Sequence, residues 1–222
     1  MTTPPKPTVT IESEPFIPYV EDENFDPRIK PILAPYMERM GFLPNALKLY
    51  AHRPEIAVTL FTLNSNIMRD PSSTLPQLLK RKVAVICCAI NGCSYCTAHS
   101  CSMLKRHDTG NPLLNEGWEV SEEELQGIIS GGTEPADDME RIAFAYARAA
   151  TEDPTNVPRE LLDELAQQMT PPQVVELGCV IGFWKFYNTV HESLHIPIES
   201  HLLGDTGYVN VTPRHAYGSA AE

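Results

Sequence analysis

Proline placement constrains this chain more than any other feature. Pro27, Pro44, Pro54, Pro76, Pro158 and Pro172 each stand just ahead of a run whose apolar residues recur at helical spacing. The first turn of a helix is where proline's fixed φ and missing N–H cost least. Ser121 with Glu124, and Thr170 with Gln173, add two capping-box patterns. Together these predict helices over about 27–40, 44–51, 54–69, 75–90, 94–107, 121–130, 135–151, 158–168 and 172–194. No stretch alternates apolar and polar residues between turns at strand spacing, so no sheet is expected. The β-branched run 83–90 resembles a strand, but it follows the helix start Ser73-Thr74-Leu75-Pro76 and is broken by Asn91-Gly92. It reads as a buried helix, and the fold class is all-α.

The chain divides into an extended or disordered arm over 1–25, a helical domain over 26–200 and an irregular tail over 201–222. The arm carries Pro4, Pro5, Pro7, Pro15 and Pro18 among acidic residues. Loops rich in Gly, Asn and Pro are expected over 108–117 and 130–135. The net charge of −12 opposes nucleic acid or an anionic membrane as a partner. Lys80, Arg81 and Lys82 form the single run of three cations, read as a solvated helix face. No stretch nears the roughly 20 apolar residues of a membrane span, and the N-terminus lacks the pattern of a secretory signal. A cytoplasmic location is expected.

Five of the six cysteines fall between Cys87 and Cys101, with Cys179 apart. Clustering of this kind points to redox or metal chemistry rather than to a disulfide framework. Cys93 and Cys96 form a C-x-x-C directly after Asn91-Gly92, with His99 following. A thiol in a helix's first turn meets unsatisfied N–H groups and the positive end of the macrodipole, which favour thiolate. At about 100° per residue, His99 stacks one turn above Cys96. Cys96 is therefore the expected reactive thiol, Cys93 its resolving partner and His99 the acid/base. A zinc site built from Cys93, Cys96, His99 and Cys101 or His107 is the rival, and a pair of small core residues is the bland reading. Cys87, Cys88 and Cys179 read as core. His191 and His195, four apart, read as partly exposed or capping rather than as a metal pair. Gly178 and Gly182 suggest close helix packing.

With these residues in view, the segment 76–107, centred on Asn91-Gly-Cys-Ser-Tyr-Cys-Thr-Ala-His-Ser100, resembles the carboxymuconolactone decarboxylase / alkylhydroperoxidase D-like (AhpD-like) family. The likeness extends to 41–55 and 140–197 and covers roughly 27–200. It implies an all-α fold assembling into homo-oligomers, with no cofactor. The antioxidant branch uses its two motif cysteines as a peroxidase or disulfide reductase, taking electrons from a thiol donor. The decarboxylase branch generally lacks the pair, so the dithiol favours the redox branch over a lyase or isomerase of small organic acids. Two departures stand out. The relay Glu of the antioxidant branch is replaced by Arg81, which cannot shuttle protons. The family's better-known His position is occupied by Ser100, with His99 one earlier. Glu176 is the speculative substitute for the missing acid.

Overall fold

The structure, a computed structural model, describes residues 15–104, 118–199 and 202. Among these, every regular element is helical. A 3-10 turn at Asp22–Asn24 precedes α1 (Lys30–Met40), α2 (Asn45–Tyr50), α3 (Pro54–Arg69), α4 (Gln77–Ile90) and α5 (Ser94–Leu104). After these come α6 (Glu122–Ser130), α7 (Asp138–Glu152), α8 (Arg159–Gln168) and α9 (Pro171–Ser193). The end of the helix expected to reach 107, the loop 108–117, residues 1–14 of the arm and all of the tail but Leu202 lie outside the described residues. The remainder of the arm packs on the body: Val20 N–H donates to Lys48 O (3.4 Å), His52 Nε2 meets Pro18 O (2.7 Å), and Phe25 is buried. Among the described residues, no helix is long and apolar enough to cross a membrane.

Proline sits at five of the six expected helix starts; α1 instead begins at Lys30, three residues after Pro27, with Pro31 in its first turn. Pro44, Pro76 and Pro158 cap α2, α4 and α8, while Pro54 opens α3 and Pro171 with Pro172 opens α9. Ser121 Oγ accepts the Glu124 N–H (3.1 Å) and Gln173 Oε1 accepts the Thr170 N–H (2.9 Å), supplying partners at two helix N-termini.

Residues 83–90 form the second half of α4, and α4 is the hub of the fold. It packs against α3, α5, α6, α7 and α9. A helix enclosed on all sides must be apolar all round, and the VAVICC run of α4 is fully buried. The same enclosure overturns the reading of Lys80, Arg81 and Lys82 as a solvated face: they are only 1%, 3% and 5% exposed. Carboxylates from distant helices make two of these burials tolerable. Lys80 Nζ donates to Glu176 Oε1 (2.7 Å) and Ile67 O (2.9 Å). Lys82 Nζ meets Glu140 Oε1 (2.6 Å) and Glu124 Oε1 (2.7 Å). An unpaired buried ion would cost several kcal/mol, so these pairs are matched rather than strongly stabilising. Arg81 points elsewhere, into the cavity described below.

On α9 two further expectations are corrected. Cys179 is exposed rather than core. Gly182 has no heavy atom within contact range of a Cβ built on it, and Gly178 meets only Tyr146 Oη at 3.8 Å. Among the described residues, the glycine pair lies on an open face and packs no helix closely.

Asn91-Gly92 ends α4 in a Schellman motif. Gly92 adopts φ 67°, its N–H donates to Ala89 O (3.1 Å), and the next N–H, of Cys93, donates to Cys88 O (3.1 Å). The left-handed residue reverses the chain tightly enough that Cys93 leads straight into α5. Replacing Gly92 with Ala puts a Cβ on a left-handed residue, and should cost about 1–2 kcal/mol. The expected result is a lowered urea midpoint with unchanged m-value, measured by circular dichroism.

Candidate active site

The dithiol lies at the junction of two buried helices. Cys93 precedes α5 and Cys96 lies in its first turn; both are almost fully buried. Three contacts dock α9 on this junction. Asn91 Nδ2 donates to Asn188 Oδ1 (2.8 Å), Asn188 Nδ2 donates to Cys88 Sγ (3.3 Å), and Ser94 N–H donates to Glu192 Oε2 (3.1 Å). These set the register of α9 so that His191 faces Cys96.

Cys96 Sγ lies 3.2 Å from His191 Nδ1, and His191 Nε2 lies 3.1 Å from Tyr50 Oη. This corrects two expectations. The histidine in contact with Cys96 is His191, 95 residues away, not His99, and His191 is a buried member of the site rather than an exposed or capping side chain. Tyr187 stacks on its ring (centroids 5.0 Å apart, 21° between planes) and Tyr95 meets it edge-on at 5.2 Å, fixing its orientation. In the tautomer with its proton on Nε2, the imidazole donates to Tyr50 and accepts the Cys96 thiol at Nδ1.

The electrostatics also depart from the helix-terminus expectation. Burial pushes the Cys96 thiol well above its ordinary value, and the neighbouring Cys88 and Cys93 add to the rise. The backbone hydrogen bond of the first turn goes to the other sulfur: Cys96 N–H donates to Cys93 Sγ (3.3 Å). Burial lowers His191 to about 3, His99 acting in the same direction and Glu199 against it. At neutral pH the resting pair is therefore a thiol against a neutral imidazole. Burial likewise raises the Tyr50 phenol, with Cys96 and Cys93 contributing. Cys88, read as core, borders this cluster, its sulfur 3.7 Å from Ser100 Oγ.

His99 has a different partner. Its Nε2 lies 2.7 Å from Glu199 Oε2. Glu199 Oε1 accepts Tyr95 O–H (3.0 Å) and Asn45 N–H (2.6 Å). Burial raises this carboxyl, but the His99 hydrogen bond and charge and the Asn45 N–H outweigh it, and the net shift is downward. Glu199 arrives through a second Schellman motif at the end of α9. His195 takes φ 49°, its N–H donates to Glu192 O (3.1 Å) and Ile196 N–H donates to His191 O (3.2 Å). Nothing in the local sequence signals that Glu199 or Tyr50 joins the cysteine motif; His191 was visible only as half of an i, i+4 pair.

A cavity of about 80 Å³ opens beside this cluster, lined by Cys96, His191, Tyr50 and His99 and, beyond them, by Arg69, Arg81, Met103 and Trp184. A buried water needs roughly 10–15 Å³ measured this way, so the space admits a small molecule. Glu176, the speculative relay acid, is not in this wall; it is held by Lys80 and by Ser73 Oγ (2.5 Å). Among the described residues, no group of three or more His, Cys, Asp or Glu side chains is placed to hold a metal ion, and His107 of the zinc rival lies outside them.

The class of protein is thus an all-helical one with a buried dithiol opposite a histidine at the wall of a small cavity. No protein-family model and no curated protein matches the chain. Solved structures do match. An alkylhydroperoxidase AhpD core, an uncharacterized peroxidase-related protein from Ralstonia eutropha JMP134, aligns with TM-score 0.72 at 15% identity over 85% of this chain and 94% of that one. An uncharacterized peroxidase-related protein from Silicibacter sp. TM1040 aligns with TM-score 0.67 at 21% identity, over 92% and 98%. The debrominase Bmp8, in a cysteine-to-alanine variant bound to 2,3,4-tribromopyrrole, aligns with TM-score 0.67 at 22% identity, over 83% and 92%. The chain has the AhpD-like fold.

Two stability predictions follow from the buried ionisable groups. His191 binds a proton near pH 6.5 when unfolded and near 3 when folded, so between these values the unfolded chain holds more protons and stability rises with pH. The lowered Glu199 acts in the same direction at the acid end. The urea midpoint should fall as pH drops from 7 to 4, and His191→Phe should flatten the part of that slope above pH 5. Glu199→Ala leaves His99, Tyr95 and the Asn45 N–H without their shared acceptor, and should cost about 2–4 kcal/mol at pH 7 by chemical denaturation.

Proposed function

We propose that the protein is a thiol-dependent peroxidase or disulfide reductase in which Cys96 is the nucleophile, Cys93 the resolving thiol and His191 the proton acceptor. The observation that carries this reading is the 3.2 Å contact between Cys96 Sγ and a neutral, buried His191 Nδ1 at the wall of a cavity. A thiol reacts as thiolate, and the imidazole can take its proton as the sulfur attacks. Attack on a hydroperoxide breaks the O–O bond and leaves Cys96 as the sulfenic acid. The departing alkoxide takes the proton from His191 and leaves as the alcohol. Cys93 then attacks the Cys96 sulfur, expelling water and forming the disulfide, which an external dithiol reduces by two electrons. Tyr50 holds the imidazole throughout. His99 borders the same cavity but is tied to Glu199, so its role is to position the wall that Tyr95 and Asn45 share.

The dithiol favours this chemistry over a cofactor-free decarboxylase or lactone-type lyase, which needs no second sulfur. The neighbour Bmp8 is a debrominase, and attack of Cys96 on a carbon-bound halogen would use the same groups; a bromopyrrole belongs in the substrate panel. Assembly into a homo-oligomer is part of the proposal and is read by light scattering.

The test is a count of free thiols, by peptide mapping, before and after one equivalent of hydroperoxide. The parent should lose Cys93 and Cys96 together. Cys93→Ser should accumulate a sulfenic acid on Cys96, and Cys96→Ser should keep Cys93 as a free thiol. His191→Phe should slow oxidation about 10²–10⁴-fold. An unreactive pair in the folded parent, with lyase activity intact in Cys96→Ser, would overturn the reading.

A further inference from the structure

We infer that Tyr50 is a catalytic acid: its phenol O–H protonates the departing oxygen and is refilled in the same event by the N–H of His191. The inference deepens the proposed function and rests on Cys96 attacking a hydroperoxide beside His191. It gives Tyr50 a role beyond holding the imidazole, since the proton that His191 supplies reaches the departing oxygen by way of the phenol.

The first observation is a chain of contacts. Cys96 Sγ lies 3.2 Å from His191 Nδ1, and His191 Nε2 lies 3.1 Å from Tyr50 Oη. Sulfur and phenol thus stand at the two nitrogens of one ring. With the imidazole hydrogen on Nε2, Nδ1 accepts the thiol and the phenol oxygen accepts the Nε2–H. A phenol oxygen that accepts still has its own hydrogen to donate. Among the described residues, His191 Nε2 is the one hydrogen-bond partner of Tyr50 Oη, so that hydrogen is not spent on the protein.

The second is placement. Tyr50, Cys96 and His191 line the same cavity of about 80 Å³. Tyr50 is 8% exposed. It meets Phe61 edge-on with ring centroids 6.3 Å apart and Tyr187 at 6.1 Å, which hold the phenol at the wall. A hydroperoxide lying alongside the imidazole, distal oxygen at the sulfur and proximal oxygen at the phenol, bridges the same two groups that the ring bridges.

The third is the cost of separating charge. Burial holds Cys96 as a thiol and His191 as a neutral ring, so a thiolate–imidazolium pair is disfavoured from both sides. Burial also raises the Tyr50 phenol, with Cys96 and Cys93 adding to the rise, which disfavours a tyrosinate. A relay avoids these states, because imidazole and phenol each gain one hydrogen as they lose another. The sulfur lone pair forms the S–O bond to the distal oxygen, which keeps its hydrogen, and the O–O bond breaks. The thiol hydrogen passes to Nδ1, the Nε2 hydrogen to the phenol oxygen, and the phenol hydrogen to the proximal oxygen. The products are the Cys96 sulfenic acid, the alcohol, an intact phenol and a neutral imidazole with its hydrogen on Nδ1.

The experiment measures the rate of Cys96 modification, read by peptide mass, in the parent and in Tyr50→Phe with three reagents. Ethyl hydroperoxide expels an alkoxide, which needs a proton; peracetic acid expels acetate and iodoacetamide expels iodide, which do not. Tyr50→Phe should slow the hydroperoxide reaction about 10²-fold and the other two less than about threefold. A phenol that only positions His191 would slow all three alike, because each reaction needs the base. Equal slowing of all three, or slowing of none, overturns the inference and leaves the peroxidase reading standing. If Tyr50→Phe does not fold, the parent's rate with ethyl hydroperoxide in mixtures of light and heavy water decides the matter. Three hydrogens in flight give a curved dependence on deuterium fraction, and a linear one overturns the inference. A parent whose Cys96 ignores hydroperoxide overturns the peroxidase reading and the inference with it.

Discussion

The junction between α4 and α5 is the constraint on which the rest of the molecule depends. Both helices are largely enclosed by the fold, and of the residues around their meeting point Cys93 and Cys96 are buried while Ala89 to Gly92 and Ser94 are half-buried. A Schellman turn at Gly92 makes the junction so short that Cys93 and Cys96 enter the core together. Helix α9 is then fastened to this junction through Asn188 and Glu192, and its register carries His191 to within reach of Cys96. A slip of one residue on α9 would rotate the imidazole by about 100° and break its contact with Cys96.

Burial also decides the character of the chemistry. The positive end of a helix favours thiolate, but removal of the Cys96 sulfur from water disfavours the charged form more strongly, and the second effect wins. Burial acts on His191 in the opposite sense, holding it neutral. The resting pair is therefore a thiol facing a neutral imidazole. The two histidines divide the work: His191 faces the thiol, and His99 ties Glu199 and the returning chain to the opposite wall.

Charge in the interior is distributed with the same economy. Lys80 and Lys82 each meet carboxylates contributed by other helices, and Arg81 lines the cavity. Arg81, at the position where the family resemblance leads one to expect a relay acid, cannot exchange protons. The fold is shared with peroxidase-related proteins and a debrominase, and differences of this kind in the cavity wall are where members of one fold can diverge in chemistry.

Much of the fold was legible from the chain, because proline at helix starts, the Asn91-Gly92 break and the apolar run 83–90 act through local sterics and burial. The C-x-x-C was equally legible, since its two sulfurs lie one turn apart along a single helix. The partners of Cys96 were not. His191, Tyr50 and Glu199 come from α9, α2 and the segment after α9, and their contacts span 95 to 141 residues. The run Lys80-Arg81-Lys82 misled for a related reason, its carboxylates lying on α6, α7 and α9. Local sequence determined the helices and the dithiol; only tertiary packing decided which histidine meets the thiol, how far burial shifts both groups, and which cation faces the cavity. Sterics and capping act over a few residues, whereas hydrogen-bond partners and desolvation depend on which helices enclose a site.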